Sequence, residues 1–312
     1  MEVIFVGLAQ VLLIMALAPV VNGTIKKTKA FLQNRQGPAI WQGYYDLNKL
    51  FHKDRVVSEH SSWIFRITPV IVFATVVAAS SLMPVVSLST PLGYAGDLFV
   101  LVYLFGLARF FLALSGLDAG SSFGGMGSSR EMTFAAMIEP ALLLALFTVA
   151  LSAGSTNLVE ISKSMTGAFS SAHILAFLAL FIVAVAETGR IPVDNPDTHL
   201  ELTMVHEGMI LEYSGKELGL ITWATQIKQL LILTFLANFF FPVGIAGQNS
   251  VSALGVGFMA YLVKVILLGI SLAVVESAFA KLRLFKVPKL MALSFMLSLF
   301  ALVTLFVLGG KL

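Results

Sequence analysis

Residues 97–117 read Asp97-Leu-Phe-Val-Leu-Val-Tyr-Leu-Phe-Gly-Leu-Ala-Arg-Phe-Phe-Leu-Ala-Leu-Ser-Gly-Leu117, an apolar stretch interrupted by the single cation Arg109. As a helix it is long enough to cross a hydrocarbon core of about 30 Å. Similar stretches lie near 3–22, 63–86, 131–152, 171–188, 222–245, 251–275 and 289–309. The expected fold is therefore an all-α integral membrane protein of about eight transmembrane helices. It forms a single polytopic membrane domain over 1–312, with cytoplasmic loops near 23–62, 118–130, 189–221 and 276–288. Composition agrees, because 58% of residues are hydrophobic and 12% charged, against roughly 25% charged in a soluble domain. The first stretch lacks a basic leader and a small-residue cleavage site, so it reads as a retained span and not a signal peptide.

Basic residues fall on alternate connections. The first holds Lys26, Lys27, Lys29, Arg35, Lys49, Lys53 and Arg55, the third ends with Arg130, the fifth holds Arg190 and Lys216, and the seventh holds Lys281, Arg283, Lys286 and Lys289. The second and sixth hold no Lys or Arg, and the fourth only Lys163. The positive-inside rule turns this into a plasma-membrane topology with both termini outside and the odd connections cytoplasmic. The same distribution accounts for the pI near 9.1 without a nucleic-acid partner. With no cysteine in the chain, it holds no disulfide and no iron-sulfur cluster on its own thiolates.

Ionisable groups inside spans are costly unless paired or wet, and they mark function. Arg109, Glu139, Glu187, Lys228, Lys264 and Glu276 are the candidates. Opposite signs on neighbouring spans allow pairs such as Arg109 with Glu139. Either they relay protons or they are static pairs that fix helix packing.

The fifth connection carries Asp194, Asp197, Glu201, Glu207, Glu212 and Glu217 against only Arg190 and Lys216. Their alternation with Leu200, Leu202, Met204, Met209, Ile210 and Leu211 predicts a partly ordered amphipathic stretch that packs against a partner or forms a buried acidic funnel. A plain solvated loop is the competing reading. His206-Glu207 lacks the second histidine that a zinc helix needs four residues on, where Ile210 stands, so no metal site is expected. The glycine-rich run from Gly116 to Arg130 has no preceding strand and no closing Gly-Lys-Ser/Thr. It reads as a mechanical element of tight turns and close helix approach. Ile40, Trp41, Tyr44, Tyr45, Leu47, Leu50 and Phe51 alternate with polar residues at near-helical spacing, which predicts an interfacial helix serving as anchor or docking platform.

Together these segments resemble the membrane subunit shared by respiratory complex I (its subunit 1 or H type) and the energy-converting nickel-iron hydrogenases. The most specific stretch is Ala186-Glu-Thr-Gly-Arg-Ile-Pro-Val-Asp194, similar to the family's Glu-Thr-Asn-Arg-x-Pro-Phe-Asp, followed by Leu200-Glu-Leu202 and Leu211-Glu-Tyr-Ser-Gly215. Arg35-Gln-Gly37-Pro38 is similar to the family's Arg-x-Gly-Pro, and Arg130 and Glu139 match the Arg and Glu around the fourth span. The interval between Pro38 and Asp46 is shorter than in the quinone-reducing version and Val193 replaces its Phe, while Arg109-Phe-Phe-x-Ala-x-Ser-Gly-Leu-Asp118 and Gly127-Ser-Ser-Arg-Glu131 resemble the formate-hydrogenlyase branch.

The resemblance implies the membrane anchor and proton- or ion-coupling subunit of a multisubunit membrane-bound nickel-iron hydrogenase in a bacterial or archaeal inner membrane. The alternatives are the quinone-site subunit of an NADH:quinone oxidoreductase and, remotely, a stand-alone secondary transporter. Soluble hydrogenase-like and iron-sulfur subunits and antiporter-like membrane subunits would be its partners. The iron-sulfur clusters and nickel-iron centre would sit on them, with no cofactor on this chain. By the same resemblance, Glu187, Asp194, Glu201 and Glu212 line an acidic mouth and Glu139 continues the path into the membrane. Arg109, Lys264 and Glu276 join the coupling set, and Arg35, Gly37, Pro38, Arg130 and Arg190 form the docking surface.

Overall fold

The computed structural model describes residues 2–59, 61–164, 170–195, 204–247 and 250–309. Its helices in chain order are α1 (Glu2–Leu32), α2 (Gln42–Phe51), α3 (Trp63–Leu82), α4 (Leu98–Asp118), α5 (Ser122–Ala153), α6 (Leu158–Ser164), α7 (Ser171–Glu187), α8 (His206–Ile210), α9 (Gly215–Phe240), α10 (Val251–Ala278) and α11 (Val287–Gly309). Seven of them are long and apolar enough to span a bilayer, and α7, at 17 residues, is the shorter eighth. The all-helical membrane fold is as the sequence predicts.

Several helices outrun the apolar stretches that mark them. α1 continues through Lys26, Lys27 and Lys29 to Leu32, because hydropathy marks where lipid contact ends and not where backbone hydrogen bonding ends. Cations in a last turn also suit the negative end of the helix dipole. The chain then turns at Asn34, which takes positive φ, with Arg35 N–H donating to Ala30 O at 2.8 Å. The glycine-rich run is mostly helix and not turn, since α5 begins at Ser122 and Ser121 Oγ caps it through Gly124 N–H at 3.1 Å. The expected close approach is present, but between helices. A Cβ on Gly127 would stand 2.8 Å from Val205 O, so α8 rests directly on the α5 backbone.

α2 is the expected amphipathic element. It buries Leu47 and leaves Tyr45 exposed, lies against Pro19 of α1 through Gly43, and meets α9 where Phe51 packs on Trp223. The stretch Leu211 to Gly215 ties the fifth connection to the first. The Tyr213 ring stacks on Phe65 with centroids 3.9 Å apart, and its hydroxyl donates to Phe65 O at 2.9 Å. Ser214 Oγ donates to Val56 O at 3.0 Å, while Gly215 has φ +55° against the Asp54 carbonyl, a place where a side chain would clash.

Side-chain hydroxyls join α11 to its neighbours, with Ser294 Oγ donating to Ala179 O at 2.8 Å and Ser298 Oγ to Ala141 O at 3.1 Å. Such contacts hold helices together where the hydrophobic effect does not act. At the opposite end from α2 and α8, Gln10 Oε1 accepts the backbone N–H groups of Val85, Val86 and Ser87 at 2.9–3.1 Å, satisfying a buried turn.

Candidate functional site

Arg109 projects from α4 into the bundle with 6% of its side chain exposed. Its Nη1 donates to Glu139 Oε1 of α5 at 2.9 Å, its Nη2 binds Glu187 Oε1 at the end of α7, and its Nε lies 3.4 Å from Glu131 Oε1. Lys228 of α9 reaches the other oxygen of Glu187 at 2.8 Å. Two cations thus face three carboxylates, and α4, α5, α7 and α9 meet at one charged knot.

A second knot adjoins it. Arg190, just beyond α7, donates from Nη1 to Glu276 Oε1 of α10 at 3.1 Å, and from Nη2 to Asn22 Oδ1 at 2.7 Å and Gln229 Oε1 at 2.9 Å. Lys29 of α1 stands 3.1 Å from Glu276 Oε2. Gln229 follows Lys228 in sequence, so the two knots touch through α9. Asp194 accepts from Lys281 Nζ at 2.7 Å and from the N–H groups of Asn195 at 2.8 Å and His206 at 3.3 Å, pinning the fifth connection to the seventh. The result is a layer of ion pairs across the bundle that begins on the flank of α5 at Glu139, whose side chain is 46% exposed, and ends at α1.

A cavity of about 410 Å³ opens onto this layer from the side of α2 and α8. Its wall includes Arg109, Glu131, Glu187, Arg190, Asp194 and Lys228, and Lys26 and Asp46 also face it. Gln226 Oε1 and Gln229 Nε2 are buried with no partner among the described residues, and both side chains line this cavity. Buried polar atoms of that kind are satisfied by what fills the space, so the chamber suits water or a polar group.

Of the residues singled out from sequence, Arg109, Glu139, Glu187, Asp194 and Glu276 all belong to the layer. Arg190 belongs to it too, 6% exposed, instead of to a docking surface. Its guanidinium is drawn inward because Glu276 is 2% exposed and needs a counter-charge. Glu212 is exposed and away from the cavity wall, because the chain turns Tyr213 inward beside it. Glu201 lies outside the described residues, as do His199 and Asp197.

Lys264 is apart from the layer. Twelve positions along α10 from Glu276 correspond to ~18 Å of helix axis, and Lys264 donates instead to Asn238 Oδ1 and Phe241 O. Arg35 and Pro38 are exposed and Gly37 partly so, on the turn after α1, with Pro38 at the cavity rim. Arg130 donates to Met204 O at 2.9 Å, holding the fifth connection on α5. Sequence reading missed Lys29 and Lys281, assigned to loops, and left Glu131 without a partner. Lys29 is buried because α1 runs beyond its apolar stretch, whereas Lys281 does lie on a connection and is drawn in by the buried Asp194.

The sequence matches the NADH dehydrogenase family over residues 4–308. It is 35% identical over 306 residues to hydrogenase-4 component C of Escherichia coli K12, covering 97% of this chain and 96% of that one. It is 36% identical over 301 residues to formate hydrogenlyase subunit 4 of the same organism, covering 96% and 97%. The H-type subunit of the NADH-quinone oxidoreductase of Rubrobacter xylanophilus is 28% identical over 249 residues, covering 75% and 73%. In fold, the chain superposes on one in the structure of the membrane-bound sulfane sulfur reductase, an archaeal respiratory membrane complex. There the TM-score is 0.83 at 21% identity, with coverage of 97% and 99%. An eight-helix membrane bundle crossed by buried ion pairs and matched along almost its whole length leaves one assignment: the chain belongs to the NADH dehydrogenase family, in its complex I subunit 1 or H-type group.

Proposed function

We propose that this chain is the membrane anchor and ion-coupling subunit of a multisubunit membrane-bound nickel-iron hydrogenase of the formate-hydrogenlyase type. The observation that carries the reading is the continuous ion-pair layer from a chamber at the α2 and α8 end to the flank of α5. Identity of 35% and 36% over nearly the whole chain to hydrogenase-4 component C and formate hydrogenlyase subunit 4 supports the type of complex. In this reading the α2 and α8 end faces the cytoplasm and both termini lie outside. Soluble hydrogenase-like and iron-sulfur subunits dock around Arg35 and Pro38, and antiporter-like subunits adjoin the membrane flank. The metal centres belong to the soluble partners and supply the redox chemistry, since this chain has no cysteine.

What this chain supplies is a set of carboxylates that exchange cations. Glu187 is shared by Arg109 and Lys228, and Arg109 is shared by Glu187, Glu139 and Glu131. A displacement of the fifth connection, which is fixed to the layer through Arg190 and Asp194, moves a cation relative to one of these carboxylates. Each carboxylate's proton affinity depends on such neighbours, so the displacement is turned into proton uptake or release. Protons or other cations then pass toward Glu139 and the subunit beside α5.

The test is a mild-detergent pull-down of tagged chain from its native membrane, with identification of partners and an assay of hydrogen evolution with a reduced dye. Recovery of a nickel-iron large subunit with activity is the expected result, and recovery of the chain alone overturns it. In the active complex, Glu139→Gln and Glu187→Gln should leave dye-coupled hydrogen evolution intact while abolishing ion movement in vesicles. A quinone-linked role has one observation in its favour, the chamber open toward the loops. It predicts recovery of an NADH-oxidising module and inhibition by a quinone analogue.

A further inference from the structure

A groove of about 1030 Å³ runs along the outside of the bundle between α7 and α10. Phe177 and Phe181 form one wall, and Met259, Val263 and Leu267 the other. Met259, Val263 and Leu267 are exposed along a face of α10 that is apolar from Val251 to Val274, so the groove opens to the membrane. Its only charged lining residue among the described residues is Lys264.

The ammonium of Lys264 is held but not neutralised. Nζ donates to Asn238 Oδ1 at 2.8 Å and to Phe241 O at 3.1 Å, and no carboxylate of the described residues pairs with it. Asn238 is fixed in turn, because its Nδ2 donates to Pro84 O at 2.9 Å and Val85 O at 2.8 Å. The contrast with Arg109, Lys228 and Arg190 is direct, since each of those has a carboxylate within 3.1 Å. A lysine at mid-membrane is costly and ordinarily finds a counter-charge.

Depth decides what that counter-charge is carried on. Lys264 stands midway along α10, about 20 Å of helix axis from either end. Lipid head groups lie at the two faces of a hydrocarbon core about 30 Å thick. Only a group on a spanning protein segment reaches the level of Lys264. We propose that the groove between α7 and α10 seats a transmembrane helix of a partner subunit, and that an Asp or Glu in the middle of that helix pairs with Lys264. The proposal rests on the chain's being part of a membrane complex, and it goes beyond the coupling layer, which is ~18 Å away along α10.

The test places a photo-crosslinking amino acid at Met259 or Val263 in the tagged full chain, with Phe306 on α11 as the control position, in native membranes. The expected adduct at the groove positions is an apolar segment of one co-purifying membrane subunit that contains Asp or Glu. Lys264→Gln should lower recovery of that subunit about tenfold, Lys264→Arg should retain it, and Lys264→Glu should be rescued by changing the captured carboxylate to lysine. The level of the tagged chain itself controls for folding. If partners co-purify but the groove positions capture only lipid or a second copy of this chain, the proposal is overturned and the functional reading stands. Unchanged recovery in Lys264→Gln overturns it as well. If nothing co-purifies with the unaltered chain, both fail together.

Discussion

Arg109 neutralises more negative charge than any other side chain in the layer, and its removal is correspondingly severe. Arg109→Met leaves Glu187, 5% exposed, beside Lys228 alone and Glu139 with no cation at all. A loss of about 3–5 kcal/mol is expected from breaking a buried pair on one side, read as a fall in thermal unfolding temperature in detergent. Glu139→Gln, at a half-exposed position, should cost far less. Tyr213 provides a pH signature outside the spans. Burial pushes its phenol up to about 12, against ~10 in an unfolded chain. The native state therefore keeps a proton that the unfolded state has lost. The stabilisation is complete below pH ~10 and is lost as pH rises through ~12. Tyr213→Phe should be less stable by ~1 kcal/mol at neutral pH, for the missing hydrogen bond. Its stability should also decline less steeply than that of the unaltered chain between pH 9 and pH 12. At this scale the sequence allows a pair of Arg109 with Glu139 but does not select it, because Glu187, Lys228 and Glu276 are further opposite charges inside the spans. In the structure Arg109 meets Glu187 and Glu131 as well. The sequence does not announce Lys29 or Lys281, since a lysine next to a loop reads as solvated until a buried Glu276 or Asp194 is known to face it.

Two glycines of α5 meet opposite surroundings. Gly127 is in contact with the α8 backbone, where a Cβ would sit 2.8 Å from Val205 O and 3.1 Å from Met209 N, whereas Gly125 faces open space. Gly127→Val should lift α8, cost ~1–3 kcal/mol by overpacking and make the fifth connection more sensitive to protease. Gly125→Ala should stabilise the helix by up to ~1 kcal/mol, both measured by thermal unfolding. The eight spans are legible because lipid contact selects apolar residues over a length the bilayer sets. Their ends are not, because α1, α5 and α9 continue as helix beyond the hydrocarbon, α1 through Lys26 to Lys29, α5 from the Ser121 cap and α9 from the turn at Gly215. The glycine-rich run shows the same limit: its small residues signal close approach correctly but do not tell whether the backbone that approaches is a turn or a helix.

At the scale of the whole molecule, the alternation of basic connections and the position of the charged layer assign the α2 and α8 end to the cytoplasm in the proposed reading. The cysteine-free sequence makes this simple to check. A cysteine placed at Phe285, between α10 and α11, should react with an impermeant maleimide from the cytoplasmic side only. One at Tyr94, between α3 and α4, should react from the outside only. Both positions are more than four-fifths exposed, at 88% and 87%. The opposite pattern would invert the topology and put the chamber on the outer face. The half-exposed Glu139 has a separate bearing on how the chain is made. A newly inserted copy standing alone in the bilayer shows lipid a carboxylate shielded on one side by Arg109, and such a surface suits an assembled neighbour better than hydrocarbon. Copies made in excess of their partners would therefore be the ones that membrane proteases clear. In the proposed reading, where a partner subunit covers α5, the abundance of the chain would then follow the supply of that partner and not its own rate of synthesis.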